Sequence, residues 1–245
     1  MTAETDWPAL AAALGREGYR RQAFAQHSAG EVAFLVEHLG LGPGDVVADV
    51  GCGPGRHLDE WRRRDIRVAG FDASPAFSPP VLADALRLPL RGGSVTAAVA
   101  LGVAPYVPLD QLLAELRRVA CHAVAVSAFH AAFARRHLGM VGRRVVETAR
   151  LPNGTAVVHA HDCHEPHELP GRVYGGFRDA PPTDDDPELV AVWGLRRSRP
   201  PVGPALAAAG ATDLPRTAPA PGTGTPRAAA AASGRGRRRA GCAGA

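Results

Sequence analysis

The hydrophobic positions between residues 28 and 39 recur with the period of an α-helix. Four apolar side chains fall on one helical face, three and four residues apart: Val32, Leu35, Val36 and Leu39. Ser28, followed three residues later by Glu31, has the pattern of a capping box at a helix start. Glycines and a proline at positions 40–44 end the pattern. We therefore predict an amphipathic helix that packs on a sheet.

Short runs of consecutive apolar residues follow this helix. Runs of this kind predict strands that are buried on both faces. They lie at residues 46–50, 67–72, 81–83, 92–103 and 123–129. Helical patterns separate several of them, as in residues 110–119, where we expect Asp110 to cap the helix. The alternation predicts an α/β fold with a mostly parallel sheet and helices on both faces.

The pattern is weaker beyond residue 130. We interpret residues 143–150 as the end of a helix and residues 154–161 as a strand. The run from Pro187 to Trp193 predicts a final strand.

The turn after the first strand contains three alternating glycines. The stretch Asp49-Val50-Gly51-Cys52-Gly53-Pro54-Gly55-Arg56 joins that strand to a short helical pattern. Main chain without Cβ atoms can approach a bulky ligand closely, and a helix start adds free N–H groups and a positive dipole end. The alternative is a dinucleotide-binding turn, G-x-G-x-x-G, but Arg56 stands where its third glycine would lie. Residues further along must decide between the two.

Two acidic residues follow the next strands. Asp72 ends the second apolar run, where a carboxylate can accept hydrogen bonds from both ribose hydroxyls of an adenosine group. Asp84 follows the third run and precedes Leu88-Pro89. Together with the glycine turn, these residues resemble the cofactor-binding elements of the class I S-adenosylmethionine-dependent methyltransferases, of the small-molecule type 11/25-like group. A helix cap at Asp72 and a solvated loop residue at Asp84 are the ordinary alternatives.

The resemblance covers roughly residues 28–130. It implies S-adenosyl-L-methionine as cofactor and a Rossmann-like, doubly wound, mostly parallel sheet of seven strands, closed by an antiparallel strand near residues 187–193. It implies that Asp84 accepts from the adenine amino group. The cofactor contacts that it assigns are Asp49, Gly51, Cys52, Gly53, Gly55, Asp72, Ala73, Asp84, Ala85, Leu101 and Gly102. Two positions depart from the family pattern: Thr96, where an Asp is common, and Pro105 after the fourth strand.

Four residues are candidates for contact with the methyl acceptor or for removal of its proton. The resemblance implies that residues 1–27 fold over the cofactor, which makes Tyr19 and His27 candidates. Tyr106 follows the fourth strand, and His130 follows the fifth, at the sheet edge where ligands of open α/β sheets bind. Packing aromatic residues and a solvated or helix-starting histidine are the ordinary explanations.

The charge is unevenly distributed along the chain. The net charge of the 245 residues is +4, but six arginines and one aspartate give residues 201–245 a charge of +5 and leave −1 for residues 1–200. We therefore expect no basic face for nucleic acid on the folded part. The Arg, Ala, Pro and Gly composition of residues 201–245 predicts a disordered tail. The predicted organisation is an N-terminal helical segment (1–27), a domain (28–200) and this tail.

Several features narrow the setting of the protein. No apolar run approaches the ~20 residues of a membrane span, and no secretory signal is visible, so we expect a cytoplasmic protein without a membrane partner. The four cysteines form no C-x-x-C pair, which favours reduced thiols. Residues 159–167 are rich in His and contain a Cys, but metal ligands normally come from separate elements. For that stretch we predict a polar strand and turn, and no metal site.

The sequence therefore predicts a methyltransferase that moves a sulfonium methyl group to an O, N or C nucleophile of a small molecule by in-line displacement. Two alternatives stay open. One is a cofactor-binding protein without catalysis, and the other is a tRNA- or rRNA-modifying enzyme that uses the arginine-rich tail. The acceptor and the oligomeric state are left open.

Overall fold

The computed structural model describes residues 11, 12, 15, 19, 27–150 and 156–195, and for residues 147–150 and 156–159 it describes the backbone. Most of the predicted N-terminal segment 1–27 lies outside the described residues. The predicted disordered tail at 201–245 lies wholly outside them.

Strands and helices alternate through the described residues. The strands are β1 (Val46–Val50), β2 (Arg67–Asp72), β3 (Val81–Leu82), β4 (Val95–Ala100), β5 (Ala120–His130), β6 (Arg144–Arg150), β7 (Ala156–His164), β8 (Arg172–Gly175) and β9 (Glu188–Gly194). The helices are α1 (Ser28–Leu39), α2 (Leu58–Arg62), α3 (Leu109–Val119) and α4 (Ala131–His137). Short 3₁₀ turns lie at Pro75–Phe77, Ala104–Tyr106 and Pro166–Glu168.

The first five strands form a parallel sheet in the order β3-β2-β1-β4-β5. The chain order reverses between β1 and β4, so a crevice opens at the carboxyl ends of these strands, where open α/β sheets bind ligands. β9 runs antiparallel to β5 along Ala123–Phe129, and β8 runs antiparallel to β9. The predicted mostly parallel, doubly wound sheet with an antiparallel closing strand is confirmed.

A hairpin of β6 and β7 extends this sheet. The two strands pair antiparallel from Arg144–Asp162 to Arg150–Ala156, and β7 joins the end of β5 in parallel. The predicted helix end at residues 143–150 was therefore wrong. Arg144 and Val146 are exposed, whereas Val145 between them is buried, which is the alternation of a strand. β6 lies at the end of the sheet order, and its pairing with β7 is not visible in a local pattern.

Helices cover both faces of the sheet. On one face, Leu35 of α1 lies in a buried cluster with Val47 of β1 and Trp61 of α2. α3 packs on β4 and β5 outside that cluster, with Leu112 and Leu116 fully buried. Strands covered in this way are mostly apolar, and every residue of β1 and of β4 is buried, including the polar Asp49 and Thr96.

The start of α3 differs from the prediction. Pro108 occupies the N-cap position, and Asp110 lies inside the first turn. Asp110 therefore does not cap the helix, although its negative charge still lies near the positive end of the helix dipole.

Within the described residues, the helices are too short or too polar to cross a membrane.

Thr96, one of the two departures from the family pattern, has a structural role. Its side chain on β4 is buried, and its Oγ1 accepts a hydrogen bond of 3.1 Å from the backbone N–H of Val46, at the start of β1. The hydroxyl thus satisfies a donor that would otherwise be buried without a partner.

Replacing Thr96 by valine keeps the side-chain shape and removes this acceptor. We expect the free energy of unfolding to fall by about 1–3 kcal/mol, because a buried N–H loses its partner. Thr96→Ser is the matched control, since it keeps the hydroxyl and loses one buried methyl group, at about 0.8 kcal/mol. Urea-induced unfolding measures both variants. A serine variant that is less stable than the valine variant would contradict this role.

Candidate functional site

The glycine turn, residues 51–55, leaves β1 at the crevice between β1 and β4. Its three glycines have φ angles of +72°, +54° and +86°, a region that residues with a Cβ rarely adopt. The backbone N–H groups of Gly51 and Cys52 donate to the carbonyl of Phe71 on β2, at 2.7 and 3.0 Å. A Cβ on Gly51 would overlap Cγ2 of Val103. The turn is therefore held against β2 as bare main chain.

Asp72, at the end of β2, fixes the other side of the turn. Its Oδ2 accepts from the N–H of Gly53 and its Oδ1 from the N–H of Ser74, both at 2.8 Å. Burial raises the pKa of Asp72, and these two hydrogen bonds oppose the rise. An ionised carboxylate has about four lone-pair sites, so about two stay available for a ligand.

Glu31 of α1 binds Arg56 and His57, the two residues after the glycine turn, rather than capping its own helix. Its Oε2 lies 2.6 Å from Nε2 of His57 and also accepts a hydrogen bond from Arg56. The predicted capping box was wrong: Ser28 lies inside α1, His27 occupies the N-cap position, and no side chain caps the helix. Glu31 is 6% exposed, and a buried carboxylate gains more from the Arg56 guanidinium and the His57 ring than from a helix cap.

The same network reaches Asp49 of β1. Burial alone would raise the pKa of Glu31, but the hydrogen bond from His57 and the charge of Arg56 outweigh it and hold that pKa below its ordinary value. On the other side of the imidazole, Nδ1 of His57 lies 4.0 Å from Oδ2 of Asp49. Burial raises the pKa of Asp49, against the influence of His57 and Arg56. The His57 ring thus lies between Glu31 of α1, to which it is hydrogen-bonded, and Asp49 of β1, which is within ion-pair distance.

Tyr19 is the predicted acceptor-side residue that lies on the glycine turn. One of its ring carbons is 3.6 Å from the position that a Cβ would take on Gly53. The ring also packs edge-on against Phe77, with 5.1 Å between centroids. Burial raises the pKa of Tyr19 to about 12; Arg56 acts against the rise and Asp72 adds to it. The phenol is therefore protonated at neutral pH.

A second polar group lies at the ends of β4 and β5. The N–H of Gly102 donates to Oγ of Ser127, at 2.8 Å. Ser127 is fully buried, and its hydroxyl also hydrogen-bonds to the carboxylate of Glu188, the first residue of β9. Burial raises the pKa of Glu188 to about 7. Glu188 is not predicted from the sequence, because one acid before an apolar run has no pattern of its own.

The remaining predicted cofactor contacts border the turn or follow the neighbouring strands. Cys52 is 5% exposed, and burial raises the pKa of its thiol. Ala73 is exposed directly after Asp72, and Leu101 is half-buried directly after β4.

Asp84 and Ala85 lie in the loop after β3, separate in sequence from the glycine turn. Asp84 is exposed, and its Oδ1 accepts from the N–H of Leu86 at 2.9 Å. Ala85 is half-buried. The Asp84 carboxylate therefore holds its own loop and keeps acceptor capacity on the solvent side.

The other acceptor-side candidates lie apart from the glycine turn in the contacts they make. The ring of Tyr106 lies 5.4 Å from the ring of His161 on β7. His130 is 3% exposed, and its Nδ1 donates to the carbonyl of Asp186, at 3.0 Å. His27 is exposed at the start of α1.

The His-rich stretch forms the end of β7 and the turn after it. His161, Cys163 and His164 are buried, and the ring of His161 lies 4.6 Å from that of Phe129. Desolvation lowers the pKa of His164. Over the part of the chain that the structure describes, no group of three His, Cys, Asp or Glu side chains converges in a way that would hold a metal ion.

Replacing Glu31 by glutamine keeps its shape but removes the charge that faces Arg56 and His57. We expect the free energy of unfolding to fall by about 3 kcal/mol at pH 7, since the half-buried Arg56 loses its counter-charge and the buried His57 loses a charged hydrogen-bond partner. The loss should shrink in acid. A carboxyl whose folded pKa is lowered contributes stability above its ordinary pKa of 4.5 and loses that contribution as pH falls through the folded value.

Glu37→Gln is the matched control for this variant, because Glu37 is exposed on the same helix. Urea-induced unfolding at pH 7 and pH 3 measures all three proteins. A loss for Glu31→Gln that is the same at both pH values, or no larger than that of the control, would contradict the role of the network.

Comparison with known proteins agrees with this geometry. Residues 48–123 match the family model described as a methyltransferase domain. No curated protein matches the chain. The fold is similar to that of the CcbJ methyltransferase from Streptomyces caelestis, with a TM-score of 0.57 at 13% identity over 77% of this chain and 97% of that one.

A second solved structure with the same fold is an S-adenosylmethionine-dependent methyltransferase from Clostridium acetobutylicum ATCC 824. Its TM-score is 0.58 at 10% identity, over 72% of this chain and 94% of that one. At these sequence identities the two structures show that the fold is shared. The family match at residues 48–123 covers the glycine turn and the strands β2, β3 and β4 that border the crevice. Residues 48–123 therefore match a methyltransferase domain, and the described fold is that of the two solved methyltransferases.

Proposed function

We propose that the protein transfers the methyl group of S-adenosyl-L-methionine to an O, N or C nucleophile of a small-molecule acceptor. The observation that carries this proposal is the hydrogen bond from the N–H of Gly53 to Asp72, which fixes a Cβ-free turn beside a carboxylate with spare acceptor sites. When bound, the cofactor supplies a methyl group on a positively charged sulfur, which is an electrophile for in-line displacement.

The residues present fit this cofactor. The glycine turn presents main chain without side chains, and the two remaining acceptor sites of Asp72 match two neighbouring ribose hydroxyls. We assign the adenine edge to the loop after β3. The full set of assigned contacts is Asp49, Gly51, Cys52, Gly53, Gly55, Asp72, Ala73, Asp84, Ala85, Leu101 and Gly102.

The chain contributes mainly position and exclusion of water. The Tyr19 ring against Gly53 narrows access to the turn, and its protonated phenol can donate a hydrogen bond to an acceptor. The Glu31–Arg56–His57 network holds α1 against the turn. Rigid positioning of this kind accounts for much of the rate in a displacement whose electrophile is already strong.

Charge supports a small-molecule acceptor over nucleic acid. Residues 1–200 carry a net charge of −1 and no lysine, so they lack the basic surface that phosphate backbones require. The described cysteines Cys52, Cys121 and Cys163 are free thiols, which fits the reducing cytoplasm that we propose as its location.

One argument for the non-catalytic alternative was the departure from the family pattern at Thr96. That departure is explained by the hydrogen bond that Thr96 accepts from Val46. Tight binding of S-adenosylhomocysteine without methyl transfer to any acceptor tested would favour it. The RNA-modifying alternative depends on the tail, which lies outside the described residues. It fails if deleting residues 201–245 leaves RNA binding and its salt dependence unchanged.

Replacing Asp72 by asparagine tests the ribose contacts. The amide keeps one acceptor oxygen and loses the charge, so we expect the affinity for S-adenosylhomocysteine to fall at least about tenfold. Isothermal titration calorimetry measures it, with Asp110→Asn, an exposed aspartate in α3, as the matched control. Indistinguishable isotherms for wild type and Asp72→Asn would remove Asp72 from the site.

Gly51→Ala tests the cradle itself. The new Cβ would overlap Val103 in a turn that we assign to the cofactor, so we expect at least about a tenfold loss of S-adenosylhomocysteine affinity. Gly142→Ala is the matched control: Gly142 also has a positive φ, of 63°, but nothing lies within 4 Å of its added Cβ. Equal affinities of the two alanine variants would contradict a cofactor-facing Gly51.

A further inference from the structure

Glu188 lies at the edge of the sheet where the cofactor-binding residues gather. β9 runs antiparallel to β5, and Glu188 pairs with Phe129 near the carboxyl end of β5. The first residue of β9 is therefore at the same edge as the last residues of β1, β4 and β5. This is the edge at which open α/β sheets bind their ligands.

A buried serine connects Glu188 to the loop after β4. Oγ of Ser127 accepts the N–H of Gly102 at 2.8 Å, and the same hydroxyl hydrogen-bonds to Glu188. Because a hydroxyl has one proton, and the Gly102 bond uses a lone pair, that proton is free to be donated to the carboxylate. Ser127 thus orients Glu188 beside Gly102, one of the residues that we assign to the cofactor.

Glu188 differs from the other carboxylates of this edge in its partners. Asp72 is held by two backbone N–H groups, and Glu31 by Arg56 and His57. Glu188 receives a hydrogen bond from the Ser127 hydroxyl, and the residue as a whole is half-buried. Its carboxylate has neither a backbone N–H donor nor a cation among these partners, which leaves it able to accept a proton.

The surroundings also adjust the proton affinity of Glu188. Burial has the largest effect and raises its pKa to about 7; the hydrogen bond from Ser127 opposes the rise. The charged groups that act on it are Glu31 of α1, which raises the pKa further, and Arg56, directly after the glycine turn, which lowers it. A general base works best when its pKa lies near the working pH.

We propose that Glu188 is the catalytic base, and that the acceptor carries a hydroxyl or amine group whose proton Glu188 removes. This rests on the methyl transfer proposed above. In that step the acceptor O–H or N–H bond breaks and its proton moves to the Glu188 carboxylate. The freed electron pair forms the new bond to the methyl carbon, and the electrons of the broken sulfur–methyl bond stay on sulfur. The sulfonium and carboxylate charges disappear together, so charge balances.

The variants Glu188→Gln and Glu188→Asp test the proposal, with Glu37→Gln as a matched control on the exposed side of α1. The probe is methyl transfer from radiolabelled S-adenosyl-L-methionine to a pool of simple phenols, alcohols and primary amines. We expect Glu188→Gln to lower turnover by 10²–10⁴-fold, the usual contribution of a general base, and Glu188→Asp to recover part of it.

The pH profile separates a base from a packing residue. Wild-type turnover should rise with pH to a plateau, with a midpoint near 7, because the carboxylate must be ionised. Glu188→Gln should lose that limb. The same turnover and the same profile in both proteins would overturn the proposal. A wild type that binds S-adenosylhomocysteine but labels no member of the pool would overturn the hydroxyl-or-amine acceptor.

Two further measurements distinguish a failure of the base proposal from a failure of the methyl transfer or of the raised proton affinity. S-adenosylhomocysteine affinity should be the same in wild type and Glu188→Gln; if neither binds, the methyl transfer itself fails, and this proposal with it. The folded state gains stability from a raised carboxyl pKa at low pH and loses it as pH rises from 4.5 through about 7. Glu188→Gln should lack this decline in urea-induced unfolding, and an unchanged decline would place the raised proton affinity elsewhere.

Discussion

The hydrogen bond from the N–H of Gly53 to Asp72 is the contact on which the crevice depends. The N–H groups of Gly51 and Cys52 also donate to the carbonyl of Phe71. Three hydrogen bonds therefore hold the turn after β1 against the end of β2. Side chains of the turn itself cannot make these contacts, because the turn must carry no Cβ atoms if a cofactor is to approach it. Main-chain donors, positive φ angles and one buried carboxylate together define its shape.

Burying charge around this turn requires partners, and the partners organise the neighbouring elements. Glu31 accepts hydrogen bonds from Arg56 and His57, and Asp49 lies within ion-pair distance of the other ring nitrogen of His57. One imidazole ring therefore lies between α1 and β1. An uncompensated charge at these positions would cost several kcal/mol, more than a surface ion pair contributes. The start of α1 is consequently set by the site rather than by its own capping sequence.

Patterns along the chain revealed the parts of the fold that local chemistry controls. Buried strands are predictable because they are runs of apolar residues. The glycine turn and Asp72 are predictable because alternating glycines and a strand-ending acid are typical of few other structures. Glu31 was assigned to a cap because its local pattern fits one, whereas a long-range pair with His57 decides its position. β6 and Glu188 depend on the strands they pair with, and that information is spread across distant residues.

The two carboxylates Asp72 and Glu188 show how one sheet edge can hold acids with different tasks. Both experience burial that favours the protonated form, but Asp72 receives two backbone N–H bonds that favour the anion, and Glu188 receives one hydroxyl bond and the repulsion of Glu31. Main-chain N–H donors in fixed positions favour the ionised carboxylate, which can then accept hydrogen bonds from a ligand. A carboxylate with a single hydroxyl partner keeps the option of taking a proton. The division of roles therefore follows from the number and rigidity of donors around each acid.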